Sequence, residues 1–253
     1  DLVVLVVAAY QISAGTIKKY SQNLLQSSVE NQASQIEAWL NENLASFQMA
    51  KTIIEDLKPS DEELKTILDG YYGYNSNYPE GLYVADSTGQ LITASESTKK
   101  ESDVTNSTWY KEGLTRVNMA VGSAYQNADG VNVISASGIL NDGSDKVRVI
   151  SADMTLDRIA IIVNSFIEMN DAEAFLVDKT SGVILANRDS SLISQTLGAE
   201  GQSHFYQLTA EKAAEKDYNF ATLDGNMTVF QEVDGTNWLL ISYIPTSIVL
   251  SDL

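Results

Sequence analysis

Trp109 and Tyr110 stand side by side in STWYKEGL, residues 107–114. Adjacent residues diverge by about 100° on a helix and point to opposite faces of a strand, so the two rings serve different surroundings. Each carries an apolar body with a hydrogen-bonding tip, which suits capture of a small solute as well as core packing. The pair lies between the second and third strands read from the pattern, where an inserted segment folds across a sheet, and this position favours pocket lining. Other chemistry is scarce. His204, in GQSHFYQL, is the single histidine, and no partners at triad spacing accompany it. Zinc enzymes generally use more than one imidazole. There is no cysteine, which removes disulfides, thiolate metal sites and cysteine nucleophiles together. The acidic turn NDGSD (141–145) lacks the twelve-residue calcium-loop pattern with its terminal Glu. These residues predict no catalytic site, no metal and no cofactor.

Composition narrows the partners. With 34 acidic against 16 basic residues, the net charge is −18 over 253 residues. Such a surface repels phosphate backbones and anionic lipid, so nucleic acid is not an expected partner. The apolar run Leu2–Ala9 falls short of the roughly 20 residues that span a bilayer. It reads as the outer end of a membrane anchor.

The elements that position the aromatic pair follow from periodicity. From Ile17 the apolar residues recur at steps of three and four, through Tyr20, Leu24, Ala33, Ile36, Leu40, Leu44, Phe47 and Ile54, the spacing of an amphipathic helix. About 40 residues of helix extend roughly 60 Å, which predicts a continuous stalk over 17–54. Its coverage should be greatest at Ile36, Leu40, Leu44 and Phe47. Ser60 with Glu63 forms a capping box for the next helix, and Gly70 ends it.

The remainder repeats. LYVADSTGQLITAS (82–95) and FLVDKTSGVILANR (175–188) share a strand, an Asp-led turn with Gly and a second strand. Each is followed by a helix-prone region and then by strands punctuated by Asp-Gly, at 129–130 and 142–143, then at 224–225 and 234–235. Asp-Gly between strands is a hairpin signal because both positions tolerate positive φ. VRVISADMT corresponds to WLLISYIPT, with Ile244 read at the place of Asp153, and residues 156–169 read as a crossing helix. The second copy carries no Trp-Tyr pair. The fold class is α+β: a long N-terminal stalk helix, then two lobes, each a mostly antiparallel sheet of about five strands with helices. The expected domains are 1–58 (anchor end and stalk), 59–155 (first lobe) and 156–253 (crossing helix and second lobe).

A long helix feeding two PAS-like lobes resembles the double Cache sensor domains of bacterial chemoreceptors, sensor kinases and cyclases. In the family's amino-acid-binding branch, a tyrosine, an arginine and a Trp-Tyr pair in one short run mark the membrane-distal pocket. A strand tyrosine and aspartate and a final aspartate follow. The resemblance implies pocket roles for Trp109 and Tyr110, for Tyr125 in AYQN and for Asp153 in ISADMT. Ser102 stands at the first tyrosine, Ser107 replaces the arginine and Asn127 replaces the strand aspartate. Tyr83, on the first strand, completes the candidate set. Losing the arginine removes the main carboxylate clamp, while Asp153 keeps one negative charge and Asn127 offers both a donor and an acceptor.

The resemblance therefore implies an extracytoplasmic sensor of a transmembrane receptor, most readily a chemotaxis receptor at the cell membrane. It would bind a nucleobase, an amine or an amino-acid-like metabolite within 71–155. Its partners would be that ligand, the membrane through flanking helices, and a second copy in the full-length receptor. The alternative is a structural or dimerisation module on a stalk with a degenerate pocket.

Overall fold

The computed structural model describes residues 1–167 and 169–251. In chain order the elements are α1 (Leu2–Leu57), α2 (Asp61–Asp69), β1 (Leu82–Asp86), β2 (Leu91–Ile92), a 3-10 turn (Val104–Asn106), α3 (Thr108–Leu114), β3 (Ala120–Val121), β4 (Tyr125–Gln126), β5 (Asn132–Leu140), β6 (Arg148–Thr155) and α4 (Leu156–Ser165). There follow β7 (Glu173–Asp178), β8 (Ile184–Ala186), a second 3-10 turn (Ser190–Leu192), α5 (His204–Ala214), β9 (Ala221–Leu223), β10 (Asn226–Val233), β11 (Trp238–Pro245) and α6 (Thr246–Val249). Two compact units result. Residues 37–159 with 235–237 make the first lobe, and residues 1–36, 160–234 and those from 238 onward the second.

Helix α1 is continuous and longer than its periodicity predicts, because the apolar start is helical as well. Residues 1–10 are all exposed, and α1 is long and apolar enough, by length and composition, to cross a membrane. Its buried stripe is Leu25, Val29, Gln32, Ala33, Ile36, Leu40, Asn43, Phe47, Ala50 and Ile54. That stripe corrects two expected positions. Leu24 is exposed, one residue off the inward face. Leu44 is half-buried, because Asn43 takes the inward slot and accepts bonds at Oδ1 from the amides of Asn75 (2.7 Å) and Asn77 (3.1 Å). Partners remote in sequence satisfy the polar residue, as burial requires.

Ser60 caps α2 by accepting from the Glu63 N–H, which is the serine half of the capping box, while the Glu63 carboxylate accepts from the Ser60 hydroxyl in place of the Ser60 N–H. The first-lobe sheet runs β2-β1-β6-β5-β3, with β4 also pairing β5, and the second runs β8-β7-β11-β10-β9. Every pairing is antiparallel. The β9–β10 turn has positive φ at both Asp224 (47°) and Gly225 (74°), the conformation that Asp-Gly tolerates. α4 ends at Ser165, four residues before the expected limit.

The repeat holds with one correction. Tyr83 pairs Ser151 across β1–β6, and Phe175 pairs Ile241 across β7–β11. Counted from those pairs, Asp153 corresponds to Tyr243 rather than to Ile244. Strands alternate faces, so a one-residue slip exchanges the two sides. Ile244 is buried, whereas Tyr243, like Asp153, is partly accessible.

Candidate functional site

Strand register assembles the site. Ser151 and Asp153 are two residues apart on β6 and therefore share a face. Tyr83 lies opposite Ser151, and Ser135 of β5 opposite Asp153. This face of the sheet is covered by α3, which lies close because Gly113 carries no side chain: a Cβ there would fall 2.3 Å from Val149 Cγ1. α3 thereby brings Trp109 against Tyr83, ring centroids 4.8 Å apart and edge to face, a favoured aromatic geometry.

Asp153 is the hub. Its Oδ1 accepts from Tyr83 OH (2.5 Å) and Ser135 Oγ (2.7 Å). Its Oδ2 accepts from Lys99 Nζ at 2.8 Å. Tyr125 OH and Ser135 Oγ share a hydrogen bond of 2.5 Å, which extends the network. The Lys99 ammonium also lies 4.5 Å from the Tyr83 ring centroid and 5.8 Å from that of Trp109, within cation–π range. Trp109 Nε1 donates to Glu101 Oε2 at 3.1 Å. A carboxylate and aromatic faces thus enclose one alkylammonium, and the lysine side chain retains only 7% of its exposure.

The phenols stay protonated. Burial first, and the Asp153 charge second, push Tyr83 well above the usual phenol range, and the same two causes raise Tyr125. Tyr78 is also raised by burial and then by Asp153. Its hydroxyl is buried with no hydrogen-bond partner in the described structure. A phenol held neutral remains a donor, so Tyr83 stabilises the Asp153 carboxylate.

The expected site residues divide. Tyr83, Trp109, Tyr125 and Asp153 come together. Tyr110 diverges from Trp109, its OH donating to Val147 O (2.9 Å) while its ring joins the core of Tyr83, Ala85, Val104, Trp109 and Val149. Both adjacent aromatics belong to that core, and Trp109 in addition borders the Lys99–Asp153 cluster. Ser107 Oγ donates to Val104 O at 2.5 Å, within the turn that precedes α3. Asn127 Oδ1 accepts the N–H groups of Asp129 and Val131, shaping the β4–β5 turn. Asp153 does not cap α4, since the Arg158 N–H donates to Thr155 Oγ1 instead. Lys99, Glu101, Ser135 and Tyr78 were not expected. Ser135 sits on an alternating strand and was open to that reading, but no periodicity marks the irregular segment carrying Lys99 and Glu101.

A separate cleft of about 680 Å³ in the same lobe is lined by Lys51, Glu55, Asp142 and Arg148 among others. Lys51 pairs with Glu55 and Arg148 with Asp142, and no aromatic side chain among the described residues lines the cleft beside these charges, unlike the Asp153 cluster. Asp142, in the acidic NDGSD turn, is spent on Arg148 and on the Ser144 N–H.

A Cache domain family model matches residues 9–253. The chain belongs to the Cache domain family. No curated protein matches the sequence. Among solved structures, this Cache domain is similar to the ligand-binding domain of the Pseudomonas fluorescens chemoreceptor CtaA in complex with L-isoleucine. That likeness has 20% identity and a TM-score of 0.75, covering 95% of this chain and 99% of the other. The ligand-binding domain of the Pseudomonas aeruginosa PAO1 chemoreceptor PctC in complex with GABA is also similar, at 20% identity, TM-score 0.70 and coverage of 89% and 99%. The ligand-binding domain of Campylobacter jejuni Tlp3 in complex with L-norvaline gives 17%, 0.71, 92% and 94%. At these identities the likeness concerns the fold.

Proposed function

We propose that this Cache domain is the extracytoplasmic sensor of a transmembrane receptor of the chemotaxis type, and that its ligand carries a protonated amine seated on Asp153 in the first lobe. The observation that carries the reading is the seat itself. Asp153 is enclosed by Tyr83, Trp109 and Tyr125 and already accepts a primary ammonium from Lys99. An alkylammonium between a carboxylate and aromatic faces is a recurrent recognition solution. Amines and amino-acid-like metabolites satisfy it, and a neutral nucleobase brings no cation. The structural neighbours include chemoreceptor domains in complex with L-isoleucine, L-norvaline and GABA, each an amine-bearing solute. The exposed apolar start of α1 supports a membrane attachment.

Signalling then follows by population shift, since a ligand that prefers one arrangement of the lobe draws the ensemble toward it. A second reading, a structural or dimerisation module, is favoured by one observation: the Lys99 side chain fills the seat. A thermal-shift screen of small metabolites separates the two. At least one amine-bearing solute should raise the melting temperature with increasing concentration. A flat response to every amine would leave the structural module standing.

A further inference from the structure

Lys99 occupies the position that the ligand's ammonium needs. We propose that Lys99 is a built-in competitor for this seat, so that only a solute bearing its own protonated amine can replace it. The inference rests on the reading of Asp153 as the ammonium seat. Lys99 lies on the irregular segment between β2 and the first 3-10 turn. That segment is tethered on either side of the lysine by contacts to carboxylates: Thr98 Oγ1 and N–H to Glu80, and Trp109 Nε1 to Glu101. Its path delivers a long flexible side chain to a seat 2.8 Å from Asp153 Oδ2. A lysine in water keeps its rotamer freedom. One buried to 7% exposure has surrendered it for this carboxylate and these rings.

Charge makes the exchange selective. Asp153, Glu101 and Lys99 together carry a net charge of −1, and withdrawing Lys99 leaves −2 around a largely buried Asp153. An uncompensated buried charge is strongly unfavourable, so the seat is open only a minor fraction of the time unless another cation takes the lysine's place. A solute with a carboxylate and no amine would add a third negative charge and replace nothing. Competition also weakens apparent affinity in proportion to the fraction of time the seat is free. If Lys99 is out of the seat about one-tenth of the time, removing it raises affinity about tenfold.

A matched set of four-carbon probes tests this by calorimetry on wild type and Lys99→Met, in which methionine keeps an unbranched apolar stem against Tyr83 and Trp109. The expected result is at least tenfold tighter binding of n-butylammonium and of GABA to Lys99→Met, with n-butyrate binding no better. Equal affinity in the two proteins would overturn the competitor role and leave the ammonium seat intact. Weaker binding of GABA to the variant would overturn it differently, by making Lys99 a ligand contact. No binding of either amine to either protein would overturn the seat itself, and the inference with it. Should Lys99→Met be too unstable to titrate, its refolding by n-butylammonium but not by n-butyrate is the supporting result, and refolding by neither overturns the inference.

Discussion

The same register position holds Asp153 in the first lobe and Tyr243 in the second, and the two lobes part company there. Around Asp153 stand Tyr83, Trp109, Ser135 and Lys99. At the corresponding positions the second lobe has Phe175 for Tyr83 and Phe205 for Trp109. Rings pack on rings: Phe205 lies 4.5 Å and Phe175 6.2 Å from Tyr243, centroid to centroid, within one hydrophobic cluster. Tyr243 OH reaches out to Glu173 Oε2 at 2.6 Å. The SHFY run (203–206) is thus the counterpart of STWY (107–110), and the second copy does carry an aromatic pair, Phe205–Tyr206. One scaffold supplies both faces. On the proposed reading, a few side chains on alternating positions of its strands decide whether the face binds or merely packs.

The largest effect expected from breaking this comparison comes from the paired truncations Trp109→Ala and Phe205→Ala. Each removes a buried aromatic, and each should cost about 3–5 kcal/mol of stability by chemical denaturation. Only Trp109→Ala should also abolish amine binding. Loss of binding in both variants would mean that the lobes do not divide these roles.

Alkaline pH should separate the lobes next. Tyr78, Tyr83 and Tyr125 in the first lobe have phenols raised by burial and by Asp153, against Tyr243 in the second, raised by burial and its Glu173 bond. A folded pKa above the unfolded value contributes stability that is present below about pH 10 and lost as pH rises, by up to about 1.4 kcal/mol per phenol per pH unit. Hydrogen exchange should therefore show β1, β5 and β6 losing protection at lower pH than β7, β10 and β11. The reverse order would contradict the polar first-lobe site.

Single hydroxyl deletions sharpen the contrast further. Tyr83→Phe removes a donor to a charged carboxylate and should cost about 1.5–3 kcal/mol, felt in stability and in amine affinity. Tyr243→Phe should lower stability without moving affinity. The smallest effect belongs to Ser107→Ala, about 0.5–1.5 kcal/mol of stability, with affinity unchanged because its hydroxyl is committed to Val104 O. An affinity change would return Ser107 to the site.

Much of this was legible in the sequence, for identifiable reasons. All four Asp-Gly pairs fall between strands with Gly at positive φ, joined by its Asp at 224–225 alone among them, so the hairpins of both lobes could be read from the glycines. The α1 stripe was legible as a period but not residue by residue, since Asn43 breaks the apolar pattern and is satisfied only by Asn75 and Asn77, over 30 residues away. The register of β11 was ambiguous because Tyr243 and Ile244 both have apolar bodies, so alternation alone could not tell the inward from the outward position. Trp109 was singled out by type and position and Tyr83 by its place on the first strand, whereas Tyr125 and Asp153 came from the resemblance to double Cache domains; the fold brings the four together. Lys99 was not legible, because an irregular segment has no period and only the folded chain places its ammonium on a carboxylate 54 residues away.

The central claim is that Asp153 seats the ligand's ammonium, and calorimetry of wild type against Asp153→Asn tests it most directly, with the amine that gives the greatest thermal shift. Asparagine keeps the shape and can still accept from Tyr83 and Ser135, so the fold should survive while the charge is lost. Removing one partner of such a charged hydrogen bond costs about 2–5 kcal/mol, which predicts at least a tenfold weaker affinity at neutral pH. Equal affinity in the two proteins would contradict the account.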